Sequence, residues 1–470
     1  MLQLNSKIKK IAKIYFTIIF FLVANLVSAQ QVYSYNDLYQ AVNFNNPEVL
    51  KLQQEYNRSL LDVKDAWANV MPTVDFQATA TYMVNPPIDA VYLNIDEVIN
   101  SISWPTGTKP AATGQYIKLY DGMENSLYNI QATITQPLVT WGKIPFSIKL
   151  YYKVADIKKL QLASQQKKGK IELDTRLATL HYLEKINKIL EEEKSLAVKL
   201  VEHSQKAEES GMLLHQNVVE AKIKAKELEI AQQDLKEQLS KLLLELSRLT
   251  ALELISVEQI DYSFNEEEIE KIMLWNREEV MEKAVSGEQE SIAMLTLLQD
   301  VNDLSVKISK ASVNWKPDLA FQMTLGYGGS RFPLLESNWL RKDEYSLNFS
   351  LGIKTTVFDG GKKLNDVARK LSDSQSAAIN REDTRLTIKQ TLSSNWNTAD
   401  VCTMRMEYQD LKIETVESKI SQQELVYQTG YGSETDLLTS KINLCNEEIE
   451  KEKQALSRAI ACLTIRFLSE

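Results

Sequence analysis

The chain has 470 residues, 44% of them hydrophobic and 25% charged, with a formal net charge of −9. An acidic balance of this size argues against nucleic acid as a partner. The three cysteines are Cys402, Cys445 and Cys462, so none lies near the N-terminus to carry a bacterial lipid anchor.

Lys7, Lys9, Lys10 and Lys13 precede an apolar run from Ile14 to Val27 that ends in Ser28 and Ala29. This is the pattern of a secretory signal peptide, and a run of about 14 residues is shorter than the roughly 20 that span a bilayer as a helix. Cleavage is expected after Ala29, which would remove four lysines and leave a mature charge of −13.

Four segments alternate strictly between apolar and small polar side chains: TVDFQATATY from Thr73, SLYNIQATITQ from Ser126, DLAFQMTLGY from Asp318 and YSLNFSLGIK from Tyr345. Each reads as a β-strand of about ten residues, the length at which a tilted strand crosses a bilayer. Tyr82, Tyr128, Tyr327 and Tyr345 fall on the apolar faces at the ends nearest the interstrand loops. That is the placement of an aromatic girdle at a membrane interface. The first interstrand loop, 85–125, holds four prolines, and the second, 328–344, is much shorter.

Lys143 to Ser210 and Lys362 to Thr429 are rich in Leu, Lys, Glu, Gln and Ala and nearly free of breakers, Gly169 being the weak point. Both predict helices of roughly 100 Å at about 1.5 Å per residue. Leu235, Leu239, Leu242, Leu246 and Leu249, and likewise Leu438, Ile442, Cys445 and Ile449, have coiled-coil spacing.

The sequence also echoes itself. ANVMPTVDFQATATY matches VNWKPDLAFQMTLGY, QPLVTWGK matches TTVFDGGK, and ESGMLLHQNVVEAKI matches QTGYGSETDLLTSKI. The expected organisation is a leader at 1–29 and two repeats at 30–262 and 263–470, each running helix, strand, strand, long helix, glycine turn, returning helix. Every strand pair is entered from and left into helices, so all helices lie on one side of the membrane. Four strands cannot close a barrel, and about twelve, from three copies, would leave a bore lined by Gln, Thr, Asn and Ser.

In the order of these motifs the chain resembles the TolC family of outer-membrane efflux proteins over essentially its whole mature length. The resemblance rests on MPTVDF and KPDLAF, PLVTWGK and TVFDGGK, and above all YQTGYGSETDLLTSKINL. It implies a homotrimer embedded in outer-membrane lipid, a twelve-stranded barrel continued by a periplasmic helical tunnel, and docking to a periplasmic adaptor and an inner-membrane pump. It identifies the turns at Gly211, Gly430 and Gly432 as hairpin tips where an adaptor docks. It also places an acidic residue, Asp436, at the constricted end, where the first repeat has Asn217 instead.

No enzyme site or cofactor site is indicated. His203 and His215 flank Gly211 and His181 lies further back, but surface histidines account for them better than a metal centre. Met404 and Met406 read as helix packing, and the glycines at 326–329 and 360–361 lack phosphate-loop spacing. The runs Glu191–Glu193 and Glu266–Glu268 read as solvated helix faces. Cys402 and Cys462 would sit level in an antiparallel hairpin, and unpaired buried thiols are the simpler expectation. The function expected is a passive exit duct for efflux or secretion. The alternative is a periplasmic coiled-coil structural or chaperone-like protein with a soluble sheet, which would have to bury its apolar strand face under another layer.

Overall fold

The computed structural model describes residues 32–287, 289–313, 316–330 and 344–469. The leader, Trp315 and most of the second interstrand loop lie outside the described residues. The elements of the first half are β1 (Tyr33–Ser34), α1 (Tyr35–Phe44), α2 (Pro47–Ala68), β2 (Thr73–Tyr82), β3 (Val91–Asn94), α3 (Ile95–Ser101), β4 (Tyr116–Tyr120), β5 (Ser126–Val139), α4 (Lys143–Glu209) and α5 (His215–Thr250). Then follow β6 (Ile260–Asp261), α6 (Glu266–Met273), α7 (Arg277–Ala284), α8 (Glu290–Val313), β7 (Asp318–Gly329), β8 (Tyr345–Lys354), α9 (Lys362–Gln428) and α10 (Glu434–Ser469). No described helix is long and apolar enough to cross a membrane.

Two compact units result, one from the chain up to Ser59 with Lys153–Asp300 and Gln375–Glu470, the other from Leu60–Tyr152 and Val301–Ser374. Each draws on both halves of the sequence. The long helices α4 and α9 have 67 residues each, and the returning helices α5 and α10 have 36 each. Pro145 sits in the first turn of α4, where an absent N–H leaves no hydrogen bond unmade. Leu235, Leu242, Leu246 and Leu249 of α5 are buried in one core with Leu438, Ile442 and Ile449 of α10 and Leu183 and Leu190 of α4. The heptad residues therefore form the seam that their spacing predicts.

Gly169 is not a weak point in α4 but a packing requirement. A Cβ there would come within 2.6 Å of Val42, which is fully buried on α1. Helix α1 itself begins with a capping box between Ser34 and Asp37. Its Tyr35 hydroxyl donates to Asp174 of α4 at 2.8 Å, and Arg466 of α10 pairs with both Asp174 and Glu268. Strands β1 and β6 pair in parallel, Tyr33 opposite Ile260, tying the start of the described chain to the junction between its halves. Trp396 of α9 is buried beneath the Arg277 guanidinium, 4.9 Å from the ring centroid.

The second unit is built on a four-stranded antiparallel sheet in the order β2-β5-β7-β8. The first half's pair is joined to the second half's by β5 and β7. These central strands run 14 and 12 residues, longer than the ten expected. The 85–125 segment is not a bare loop. It carries the β3–β4 hairpin and α3, and Asp96 accepts from the Thr113 and Gly114 amides at 2.7 and 2.8 Å. Those bonds hold the Asp96 carboxyl below its usual range.

Candidate functional site

The sheet sorts its side chains by face, because alternate residues on a strand point to opposite sides. One row across the four strands is Asp75, Thr133, Thr324 and Asn348, and the row beside it is Phe76, Ala132, Leu325 and Leu347. On the polar face Gln131 donates to Gln77 at 2.9 Å, and the Thr133 and Thr324 hydroxyls lie 3.4 Å apart. On the apolar face Phe321 stacks on Phe349 with centroids 6.3 Å apart. Phe76 is 72% exposed, Phe349 63% and Ile353 68%, so no described layer covers that face. Strands β2 and β8 are the sheet edges, each paired on one side only among the described residues.

The tyrosines form a staircase. Tyr82 is opposite Ser126, Tyr128 is two residues further along β5, and Tyr327 is opposite Ile130, two residues further again. Tyr345 is directly opposite Tyr327, their rings 5.1 Å apart. A drift of four residues over three strand spacings corresponds to a tilt of roughly 40° at about 3.3 Å per residue and 4.8 Å between strands, within the range for a membrane barrel. Tyr82 is exposed, whereas Tyr327 is only 4% exposed.

Aromatic residues also stand at three of the strand–helix junctions, outside the alternating segments. Trp67 at the end of α2, Trp141 between β5 and α4, and Phe358 between β8 and α9 are all exposed. The Trp67 indole donates to the Tyr152 hydroxyl at 3.2 Å. Trp141 has a left-handed φ of 54°, a conformation that disfavours a side chain. Its indole donates to the Pro317 carbonyl at 2.8 Å, the Lys316 ammonium lies 5.4 Å from its ring centroid, and Lys143 pairs with Asp318 at 2.8 Å. The available signal was an aromatic residue at each of these strand–helix junctions.

At the hairpin tips both long helices end in the same way. Met212 N–H bonds Ala207 O and Gly211 N–H bonds Glu208 O, while Tyr431 N–H bonds Val426 O and Gly430 N–H bonds Tyr427 O. These are Schellman motifs, and Gly211 and Gly430 supply the left-handed residue with φ of 71° and 81°. Gly432 is needed for a different reason, since a Cβ there would lie 2.6 Å from the Tyr427 nitrogen. Asn217 and Asp436 both occupy the third position of their returning helices and are exposed. The cap on α10 is Ser433, whose hydroxyl accepts from the Asp436 amide at 3.4 Å, so the Asp436 carboxylate is not the N-cap.

The histidines take separate glutamate partners. His203 reaches Glu434 at 3.0 Å, His215 reaches Glu208 at 2.8 Å and His181 reaches Glu266 at 3.3 Å. Glu434 also accepts from the Tyr427 hydroxyl at 2.9 Å. Among the described residues no group of three or more His, Cys, Asp or Glu side chains is placed to hold a metal. Met406 packs against the core around Trp396, while Met404 is exposed.

The charge runs are not simply solvated. Glu193 is 1% exposed, accepts from Asn446 at 2.9 Å and lies 3.7 Å from Lys224, and burial pushes its carboxyl up. Glu266 bonds Lys185 at 2.6 Å, and all three acids of its run sit in the first turn of α6. The three cysteines are buried free thiols. Burial pushes Cys445 up to about 12 and Cys462 to about 11.

No family model and no curated protein sequence matches the chain. Solved structures do. The chain aligns with the Campylobacter jejuni CmeC outer membrane channel at a TM-score of 0.70 and 12% identity, over 92% of this chain and 84% of that one. With the outer membrane protein VceC of Vibrio cholerae the TM-score is 0.65 at 14% identity, over 91% and 95%. With the open state of the Neisseria gonorrhoeae MtrE outer membrane channel it is 0.64 at 11% identity, over 92% and 87%. At such identities the likeness is one of fold, and the fold of this chain is that of the TolC-family outer-membrane channels.

Proposed function

We propose that this chain is one subunit of a homotrimeric outer-membrane channel, the passive exit duct of a multi-component efflux or secretion system. The observation that carries this reading is the four-stranded sheet whose apolar residues Phe76, Phe349 and Ile353 are exposed and whose outer strands, β2 and β8, each pair on one side only among the described residues. In lipid an open edge leaves backbone groups unsatisfied, so insertion requires closure with other copies. Three copies supply twelve strands, and the Gln–Thr–Asn face then lines a wet bore. The two halves act as structural repeats, and the tip turns at Gly211, Gly430 and Gly432 are the surface offered to a periplasmic adaptor, with an inner-membrane pump supplying the energy. No catalytic role is assigned to any residue.

A soluble periplasmic sheet would need a layer over Phe76, Phe349 and Ile353, which are exposed. Fractionation of expressing cells, followed by native mass spectrometry of detergent-extracted protein, tests the reading. A trimer in the outer-membrane fraction is expected. A monomer in the periplasmic extract, soluble without detergent, would reject it.

A further inference from the structure

The β2–β5 ribbon does not stop at its tyrosines. Beyond Tyr82, which is opposite Ser126, the Met83 N–H bonds the Asn125 carbonyl at 2.7 Å and the Met123 N–H bonds the Ile88 carbonyl at 2.9 Å. Strand β3 then pairs with β4 as far as Asn94, opposite Tyr116. The β3–β4 hairpin is therefore an extension of the same ribbon past the tyrosine level. Between its two parts, residues 84–87 on one side stand against Glu124 alone on the other, and they include Pro86 and Pro87, which have no N–H for a ladder. Extra residues on one strand bend a ribbon. Gly122 serves the bend with a φ of 80°, and a Cβ there would lie 2.9 Å from the Ala90 nitrogen.

Past the bend the two faces differ in kind. Directly opposite residues share a face, so Tyr92 lies with Lys118 and Asn94 with Tyr116, while the other face holds Leu93 opposite Ile117. Leu119 alternates with Lys118 and falls on the side of Ile117. Leu93, Ile117 and Leu119 are 37–60% exposed, so no described layer covers them. The hairpin is nonetheless built to hold its shape. Asp96 takes the Thr113 and Gly114 amides at its far end, the Trp104 indole donates to the Ile99 carbonyl at 2.6 Å, and Lys118 pairs with Asp121 at 2.6 Å. A two-stranded hairpin alone is marginal in water, and an aliphatic face kept in place this way calls for a surface.

Position and chemistry select lipid as that surface. The extension starts one residue beyond Tyr82, and it continues β2, whose Val74 and Phe76 belong to the exposed apolar face of the sheet. An aliphatic face backed by tyrosine and lysine is the composition of an element lying in the headgroup layer with its apolar side down. The other face of the sheet offers no match, since Gln77, Thr79, Asn129 and Gln131 make it polar. We infer that the β3–β4 hairpin folds over onto the loop-side leaflet of the membrane and rests Leu93, Ile117 and Leu119 at its acyl–headgroup boundary. This contact rests on the channel reading above and adds to it a lateral foothold outside the strands.

Nitroxide labels on a genetically encoded keto amino acid, which spares the native cysteines, test the contact. They replace Ile117, Leu119, Phe349 or Thr79, one at a time, in the full chain reconstituted as an oligomer in phosphatidylcholine–phosphatidylglycerol vesicles. Power-saturation spectroscopy compares each label's collisions with oxygen, which concentrates in lipid, and with a water-soluble nickel chelate. The ratio at Ile117 and Leu119 is expected to rise above that at Thr79 towards that at Phe349. A ratio equal to that at Thr79 overturns the hairpin contact, and so do labels shielded from nickel but broadened by spins of neighbouring copies, which would place the hairpins against one another over the bore. Both of those outcomes leave the channel reading standing if Phe349 reports lipid. A water-like ratio at Phe349 overturns the channel reading and the hairpin contact together.

Discussion

Asp436 and Asn217 stand at equivalent places in their hairpins, six residues after Gly430 and Gly211, but only the second hairpin carries a charge there. Ser433 caps the helix, so the Asp436 carboxylate is not needed there, and in the proposed trimer a ring of these groups, one per subunit, would favour cations. Asp436→Asn should cost no more than a few tenths to about 1 kcal/mol of helix-dipole stabilisation. It should weaken cation preference and block by multivalent cations in planar bilayers, and unchanged selectivity would remove Asp436 from the gate. Ser433→Ala, by contrast, should lower stability by about 1 kcal/mol without altering selectivity. Glu193 shows what residue types alone conceal: in the sequence it is one of three consecutive glutamates, and only the packing of α10 and α5 buries it. Because burial raises its folded-state pKa, its contribution favours the fold at low pH and is lost as pH rises through that value. Glu193→Gln should therefore stabilise the protein at neutral pH, with the gain vanishing below the ordinary carboxylate range, as chemical denaturation at both pH values would show. A variant less stable at neutral pH would mean that the Lys224 interaction outweighs desolvation.

At the scale of elements, strands and long helices were legible because their periods, 2 and 3.5–3.6, are local properties of the chain. The helical tips were legible for the same reason, as Gly211 and Gly430 mark them in sequence. Two things were not legible: the order β2-β5-β7-β8, which depends on pairing across the two halves, and the exposed aromatics Trp67, Trp141 and Phe358 at the strand–helix junctions, which lie outside the alternating segments. The strand faces give a direct test. Arginine at Phe349 or Leu325 should cost about 2–4 kcal/mol near a membrane midplane and reduce the yield of assembled protein, while arginine at Ser350 or Thr324 should be tolerated. Heat-modifiable oligomer on gels reports this, and equal yields at all four positions would reject a lipid-facing assignment. Gly432→Ala should disturb the second tip through its clash with the Tyr427 backbone, whereas the left-handed Gly211 and Gly430 should tolerate asparagine better than valine.

For the whole molecule, the described residues leave the outer strands β2 and β8 each paired on one side only, and they leave apolar side chains of α5 and α9 exposed. The buried thiols belong to this scale too, because Cys402, Cys445 and Cys462 sit inside the helical packing and their raised pKa values leave little thiolate. They should resist alkylation until the fold opens, and rapid labelling of all three in native protein would contradict the packing described. The central claim is that several copies complete one pore. Single-channel recording of the purified oligomer in planar bilayers tests it most directly. Discrete conductance steps, abolished when the oligomer is dissociated into monomers, are the predicted result, and an intact oligomer that inserts yet carries no current would contradict it.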